Sequence, residues 1–386
     1  MKSNQNQVID SALISNRKNC CVCEIGGIEI HRTFKDFPVY MGTTRQQIES
    51  DLRSDQVWGK CKNCGCLQLM KLLPLDVLYT ADHASGSVGE IWTKHHQDFA
   101  KFICRDKPNK ILEIGAAHGI LAQNILRINP RIEYTIIEPS PTTIPKDVRL
   151  IKDYVENQYQ LIIEADVIVH SHLVEHLYEP TKFIRNINDN SRENTLMYIS
   201  FPNIEQLIKT GGTNSLNFEH TYYLHPVQIK SILEKNAFRV EEFVKFENHS
   251  FFLKCRKINN EQTLTKIPNI SHLIQEFDNM YDHLQALVNR CNSMKFAKNE
   301  NVYLFGAHVF SQTLIELGLN IENVRGVIDN SSSKQGERLY GTTLKVYSPN
   351  VLADEQNATV ILKASHYQEE IKNQLMEINP DVRIIE

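Results

Sequence analysis

The chain has 386 residues, of which 41% are hydrophobic and 23% charged, as expected of an ordinary globular protein with two or three domains. Its formal net charge of −4 offers no basic excess to neutralise phosphates, so we expect no general binding to nucleic acid or to membrane surfaces. Residues 1–18 are polar, and no apolar stretch approaches the length of a bilayer span, so the sequence predicts a cytoplasmic location.

Cysteines cluster near the start of the chain. In a reducing compartment, clustered cysteines indicate a metal site before disulfides. Two C-x-x-C pairs offer four thiolates to a tetrahedral Zn²⁺, and the predicted ligands are Cys20, Cys23, Cys61 and Cys64. Cys21 and Cys66 are neighbours that leave the first pair open to another assignment. A closed four-thiolate site has no position for water, so the predicted zinc is structural. Nucleic-acid binding by this module is the less favoured alternative.

The segment 111–121 organises the rest of the chain. An apolar run ends in the small-residue loop 115–119, and an apolar-periodic segment follows until Pro130. Strand, tight loop and helix together bring backbone N–H groups close to a ligand. An amphipathic helix with Trp92 and Phe102 precedes this unit, and a flexible loop at 84–89 precedes that helix.

Further apolar runs alternate with helical segments and therefore predict a parallel, Rossmann-like α/β sheet. The predicted strands cover residues 134–137, 148–151, 166–169 and 195–200. Two last strands, 240–246 and 250–255, are predicted to form a hairpin at the sheet edge. A parallel sheet that ends in such a hairpin is the layout of class I methyltransferase domains.

A polar helical connector at about 259–298 leads to a second α/β block with predicted strands near 302–306, 324–328 and 359–362. Gly115 lies 23 residues before Glu138, and Gly306 lies 23 residues before Asp329. The equal spacing suggests two similar βαβ units, or it reflects only the standard size of such units. The loop after Phe305 is a candidate phosphate cradle, and Lys334 a candidate phosphate contact. The predicted domains are 1–80, 81–258 and 259–386.

The loop 115–119 is not a complete G-x-G-x-x-G, so by itself it does not identify a nucleotide. Glu138 ends the next strand, where a carboxylate accepts both ribose hydroxyls of an adenosine. Buried Glu113 is expected to anchor loop amides or the methionine amine, and His118 to contact the methionine end or to cap the helix. The hairpin and the E-x-G loop favour S-adenosylmethionine, with NAD as the alternative. The predicted cofactor-binding residues are Glu113, Gly115, Ala117, His118, Gly119, Glu138, Asp153, Tyr154 and His172.

Five motifs occur in one order along the chain and together resemble a known family. They are Cys20-x-x-Cys23, Cys61-x-x-Cys64-Gly65-Cys66-Leu67-Gln68, Leu112-Glu113-Ile114-Gly115, Glu138-Pro139-Ser140 and Phe218-Glu219-His220-x-Tyr222-Tyr223. In this order the chain resembles the zinc-containing sugar C-methyltransferases of deoxysugar biosynthesis. The resemblance implies an N-terminal zinc module, a central S-adenosylmethionine domain and a C-terminal Rossmann-like domain, with a nucleotide-linked keto-sugar held between the last two.

The same resemblance implies an active site with His220, Glu219 and His176. Methylation of a carbon beside a ketone requires removal of a proton, and a histidine is suited to that task. A loop with a structurally hydrogen-bonded histidine is the alternative interpretation of residues 217–223. We expect a monomer or homodimer that binds a small-molecule substrate and neither nucleic acid nor membrane.

Two departures from the family pattern concern tyrosines. Asn217 stands where the family has a tyrosine, and the loop 82–86 lacks the tyrosines found after the family's zinc module. Two expected phenols are therefore missing from the sugar site. Because His220 is equally able to deprotonate an alcohol, O-methylation of a sugar or a related metabolite is an alternative activity, and an NAD-dependent oxidoreductase is the alternative from another enzyme class.

Overall fold

The computed structural model describes residues 9, 13–79, 89–259, 266–294, 296, 300–363 and 368–386. The predicted loop at 84–89, apart from Gly89, and the loop 82–86 lie outside these residues. Within the described residues, no helix is both long and apolar enough to cross a lipid bilayer.

The N-terminal module is built on a three-stranded antiparallel sheet in the order β2-β4-β5. Its elements are β1 (Ser15–Asn16), β2 (Ile28–Pro38), β3 (Thr43–Thr44), β4 (Arg53–Cys61), β5 (Leu67–Leu69), β6 (Lys71–Leu72) and the single-turn helix α1 (Leu75–Leu78). Trp58 of β4 is fully buried against Tyr223 and Phe277, with ring centroids 4.8 and 5.7 Å away. This aromatic contact joins the module to both later parts of the chain.

The central part is a seven-stranded sheet in the order β12-β13-β11-β10-β7-β8-β9. Its elements are α2 (Glu90–Cys104), β7 (Lys110–Ile114), α3 (Ile120–Ile128), β8 (Glu133–Ile137), β9 (Arg149–Ile151), β10 (Val167–Ser171), α4 (Pro180–Asn190), β11 (Leu196–Pro202), α5 (Ile204–Lys209), α6 (Pro226–Lys235), β12 (Phe238–Phe246) and β13 (Ser250–Lys257). Five strands are parallel, and β13 runs antiparallel to β11 and β12. The predicted parallel sheet with an edge hairpin is confirmed.

Both faces of this sheet are covered by helices, which is why its parallel strands are continuous apolar runs. Residues of α2 and α3 share one core with Ile111, and residues of α4 and α6 share the other with Leu112. The polar residues that follow the strands therefore collect at the carboxyl edge of the sheet, the edge at which α/β proteins bind ligands.

The C-terminal part is a five-stranded parallel sheet in the order β17-β15-β14-β18-β19. Its elements are α7 (His272–Ser293), β14 (Asn301–Phe305), α8 (Val309–Glu316), β15 (Val324–Ile328), β16 (Arg338–Leu339), β17 (Val346–Tyr347), β18 (Ala358–Ile361), α9 (Gln368–Ile378) and β19 (Arg383–Ile385). Short 3₁₀ helices cover Ile48–Ser50, Val155–Asn157, Tyr159–Glu164, Val174–His176, Thr213–Ser215 and Pro349–Asp354. The strands predicted in this block are present, and β16, β17 and β19 add to them.

The N-terminal module is also bound to the C-terminal sheet. Strand β3 pairs with β16, and Arg338 donates two hydrogen bonds of 2.6 and 2.7 Å to the buried carboxylate of Asp51. Arg53 pairs with Glu316 of α8. The three parts of the chain thus form one packed body, while the domain boundaries 1–80, 81–258 and 259–386 stay predictions.

Candidate active site and cysteine cluster

Four buried cysteine side chains meet at one point of the N-terminal module. The Sγ atoms of Cys20, Cys23, Cys61 and Cys64 all lie within 4.8 Å of one another, and the Cys20–Cys64 and Cys23–Cys61 pairs are each 3.6 Å apart. Tetrahedral zinc with Zn–S bonds of about 2.3 Å requires S–S separations of about 3.8 Å. The cluster therefore has the dimensions and the donor atoms of a four-thiolate zinc site.

The two remaining cysteines of the module have other contacts. Cys66 Sγ lies 3.5 Å from the carbonyl oxygen of Leu67, and the backbone N–H of Cys21 donates to Gln68 Oε1 at 3.0 Å. The structure therefore brings together the four predicted ligands and leaves Cys21 and Cys66 beside them.

The loop 115–119 turns sharply between β7 and α3. Gly115 and Gly119 have φ angles of 75° and 58°, and Ala117 also lies in the left-handed region with φ of 49°. The carboxylate of Glu138 holds the loop in place, because it accepts hydrogen bonds from the N–H of Ala117 at 3.1 Å and of Ser140 at 2.8 Å. Glu138 therefore fixes the loop 115–119 to the end of strand β8.

Glu113 has a different contact from those expected. Its carboxyl group is buried and accepts a hydrogen bond of 2.8 Å from the phenol of Tyr134. Burial raises the pKa of Glu113 to about 7, although the bond from Tyr134 acts against this shift. The anchor of the loop amide is therefore Glu138 and not Glu113, which is a correction to the expectation from the sequence.

The other predicted cofactor residues also lie at the carboxyl edge of the sheet. Asp153 closes its own turn by accepting from the N–H of Tyr154 and from Asn157, both at 2.7 Å. His172, with φ of 50°, has Nε2 3.0 Å from Ser250 Oγ. His118 does not cap α3, because the N-cap position of that helix is Gly119 and has no side-chain hydrogen bond.

His170 lies one residue beyond the predicted strand 166–169. It lies inside β10, is fully buried and packs against Phe183 of α4, with ring centroids 5.6 Å apart. Because alternate residues of a strand point to opposite faces, His170 faces the α4 side of the sheet.

The residues predicted to be catalytic form a compact cluster. The rings of His176 and His220 are 4.9 Å apart, and His176 Nδ1 lies 4.0 Å from Glu219 Oε2. Burial, reinforced by neighbouring His176, lowers the pKa of His220 to about 4. His220 is therefore neutral near pH 7 and has a lone pair with which to accept a proton.

Asn217 has a clear structural contact in this cluster. Its Oδ1 accepts hydrogen bonds from the backbone N–H of Glu219 at 2.8 Å and of His220 at 2.7 Å, and the side chain is only 2% exposed. The residue that stands at the position of the family tyrosine thus orders the backbone of Glu219 and His220.

Two residues of the cluster were not found from the sequence. The phenol of Tyr79 lies 3.2 Å from His176 Nδ1, so one phenol reaches the site from the N-terminal module. Glu175 is 2% exposed, and within the described residues its carboxylate oxygens have no hydrogen bond, although His172 Nδ1 lies 3.1 Å from Oε1. The only sequence signal for Glu175 was its place beside His176.

The C-terminal part brings a second loop of the same design to this cluster. The N–H of Ala307 donates to Asp329 Oδ2 at 2.9 Å, and the N–H of Ser331 donates to Asp329 Oδ1 at 2.9 Å. His308 follows in the loop, and its pKa is lowered to about 4 by burial and by the charge of Lys334, while the carboxylates of Asp329 and Glu219 act in the opposite direction. Helix α8, which directly follows this loop, packs against the 3₁₀ helix Thr213–Ser215. The loop therefore lies beside the segment that leads to Glu219 and His220.

Two family models match consecutive parts of the chain. The model described as a methyltransferase domain matches residues 88–242, and the model described as a C-methyltransferase C-terminal domain matches residues 252–382. The first match contains the loop 115–119 and Glu138. The chain contains a methyltransferase domain and a C-methyltransferase C-terminal domain. These matches favour a methyl donor over the NAD-dependent alternative.

Solved structures resemble the central sheet of the methyltransferase. Human N-acetylserotonin methyltransferase, in complex with S-adenosylmethionine, is 13% identical with a TM-score of 0.37, and the match covers 44% of this chain and 53% of that one. A plantazolicin methyltransferase bound to S-adenosylhomocysteine is 12% identical with a TM-score of 0.37, over 44% of this chain and 84% of that one. An O-methyltransferase family protein from Burkholderia thailandensis is 13% identical with a TM-score of 0.37, over 44% and 57%.

The match spans about half the length of the human enzyme and less than half of this methyltransferase. No curated protein matches the chain.

Proposed function

We propose that the methyltransferase acts on a nucleotide-linked sugar and methylates a carbon adjacent to a keto group, with His220 as the general base. The observation that carries the proposal is the packing of helix α8, which directly follows the second loop 306–308, against the 3₁₀ helix Thr213–Ser215 that leads to Glu219 and His220. A substrate placed there touches the base at one end and a nucleotide-type loop at the other. The match of residues 252–382 to a C-methyltransferase C-terminal domain supports the choice of carbon over oxygen.

The cluster supplies the proton chemistry. Bound S-adenosylmethionine provides an electrophilic methyl group, so the chain itself has to make the acceptor carbon nucleophilic. Neutral His220 takes the proton on the carbon beside the ketone, and the negative charge moves onto the keto oxygen. Glu219 stabilises the imidazolium that forms, because the charge of this carboxylate, like that of Glu175, opposes the lowering of the His220 pKa by burial.

His176 and Tyr79 position the base. The edge of the His176 ring meets His220, and Tyr79 is hydrogen-bonded to His176 Nδ1. Burial raises the pKa of Tyr79 well above its ordinary value, so the phenol stays protonated and is a hydrogen-bond donor at neutral pH.

The second loop supplies the nucleotide contacts of the proposal. Its backbone N–H groups lie at the start of α8, and Lys334 adds a positive charge 3.0 Å from Asp329. This arrangement suits the diphosphate of a sugar nucleotide. Cys20, Cys23, Cys61 and Cys64 would hold a structural zinc that shapes the module carrying Tyr79.

The proposal is tested with a panel of nucleotide-linked keto sugars, which are incubated in D₂O with the S-adenosylhomocysteine complex of the enzyme. Wild-type protein is expected to exchange the proton beside the ketone for deuterium, and His220→Gln to lose this exchange by about 10²-fold or more. His225→Gln is the control. His225 is the N-cap residue of α6, where its side chain accepts from the N–H of Val227, so it has a structural contact outside the cluster.

The position of the transferred methyl group, read by NMR after turnover with labelled S-adenosylmethionine, completes the test. Methyl transfer to a hydroxyl oxygen without deuterium exchange would refute C-methylation and establish the O-methyltransferase alternative. Failure of every sugar nucleotide to accept the methyl group would refute the substrate class.

A further inference from the structure

His96 of α2 is a buried polar side chain without a visible purpose in the fold. It is 5% exposed, and within the described residues neither of its ring nitrogens has a hydrogen-bond partner. Its ring meets that of His118 at a centroid distance of 5.4 Å and an angle of 87°, and the Nδ1 atom of His118 is buried and unpartnered in the same part of the chain. Because buried polar groups are almost always paired, these three nitrogens point to a ligand.

The sheet order places this pair at one end of the cofactor loop. Strand β7 lies between β8 and β10, so a ligand that begins at Glu138 after β8 and crosses the loop arrives at the end of β10. Helix α2 lies over that end, since Trp92 contacts both His96 and His172, with ring centroids 6.0 and 4.7 Å away. Two strand spacings are about 10 Å, which an adenosyl ligand easily spans.

The position of Glu138 indicates how S-adenosylmethionine is oriented in the site. A carboxylate at the end of β8 is placed to accept ribose hydroxyls, so the adenosine belongs on the β8 side. The other end of S-adenosylmethionine is the methionyl group, which carries a carboxylate and an ammonium. That end reaches the histidines.

We propose that His96, together with His118 of the loop, binds the methionyl group of S-adenosylmethionine. A neutral imidazole has one N–H donor and one acceptor nitrogen, which match a carboxylate and an ammonium respectively. Burial, with His118 and His249 nearby, lowers the pKa of His96 to about 4, so the ring is neutral at physiological pH. The next residue, His95, has a structural contact instead, with Nε2 2.7 Å from Ser200 Oγ and its ring against Phe246 and Phe252.

The test compares two ligands that differ only at the methionyl end. S-adenosylhomocysteine contains the amino-acid group, and 5′-methylthioadenosine lacks it. Calorimetric affinities for both are measured with wild-type protein, His96→Phe and His118→Gln. Gln97→Ala is the control, because Gln97 is an exposed residue of the same helix.

His96→Phe is expected to weaken S-adenosylhomocysteine about tenfold or more, since hydrogen bonds to a charged group are lost, and to change 5′-methylthioadenosine less than twofold. His118→Gln is expected to show the same selectivity, and this variant carries the test if His96→Phe does not fold. An equal loss for both ligands would mean that the histidines only support the loop, and would overturn the proposal. Unchanged affinity for S-adenosylhomocysteine in both variants would overturn it as well.

Discussion

Glu113 in the cofactor strand gives a sharp prediction about stability and pH. In the unfolded chain its carboxyl group titrates near 4.5, whereas burial in the folded protein raises its pKa to about 7, with the charge of Glu138 adding to the shift and the phenol of Tyr134 opposing it. Between these two pH values the folded state binds one more proton than the unfolded state. Stability therefore falls as the pH rises through this window, by about 1.4 kcal/mol per pH unit and about 3 kcal/mol in all.

Glu113→Gln removes the titration and keeps an oxygen that accepts from Tyr134. The free energy of unfolding of the variant, relative to wild type, is expected to increase by about 3 kcal/mol between pH 5 and pH 8. Any cost of the new amide group is the same at both pH values and cancels. Urea unfolding at a series of pH values measures this difference.

The control for this experiment is Glu133→Gln in the neighbouring strand. The Glu133 side chain is 71% exposed and pairs with Lys110, so its removal is expected to change stability by less than about 1 kcal/mol at any pH. A pH-independent difference between Glu113→Gln and wild type would refute the inference that the buried carboxyl group is protonated below pH 7.

Two further predictions concern the N-terminal module. Wild-type protein is expected to bind one zinc ion per chain, Cys23→Ser to lose it and Cys66→Ser to keep it, as measured by elemental analysis; equal metal content in both variants would contradict the four-cysteine site. Arg338→Ala leaves the Asp51 carboxylate buried without its ion-pair partner and is expected to cost about 3–5 kcal/mol in urea unfolding, whereas Arg45→Ala, at a side chain 84% exposed, changes stability by less than about 1 kcal/mol. Similar costs for the two arginine variants would refute the role of the Asp51 pair.

The central sheet was predictable because its strands are buried on both faces. Apolar runs of four to six residues stand out between polar segments, and polar residues after each run mark the carboxyl edge. The predicted strand 166–169 ended too early, since the buried His170 that continues it is polar and looks like the end of the apolar run in the sequence. The role of Glu113 also depended on a neighbour, Tyr134, that lies in another strand.

Contacts between distant parts of the chain were not predictable. Tyr79 and His176 are 97 residues apart, and their hydrogen bond depends on how the N-terminal module packs on the central sheet. The pairing of β3 with β16 involves two-residue strands, which are too short to have a recognisable pattern. Asn217 looked like the loss of a tyrosine, whereas its hydrogen bonds to the N–H groups of Glu219 and His220 are visible only in three dimensions.

The equal spacing of 23 residues in the two βαβ units has a structural basis and one informative difference. In both units an alanine N–H and a serine N–H donate to the acidic residue at the end of the second strand, Glu138 in one and Asp329 in the other. Among the described residues, Asp329 has an ammonium beside it, from Lys334 at 3.0 Å, and Glu138 has none. A carboxylate with this partner is a poorer acceptor for a ribose diol, and the lysine is a good partner for phosphate. The two loops share one hydrogen-bonding pattern but suit different parts of nucleotides. This difference supports a methyl donor at the loop 115–119 and a phosphorylated substrate at the loop 306–308.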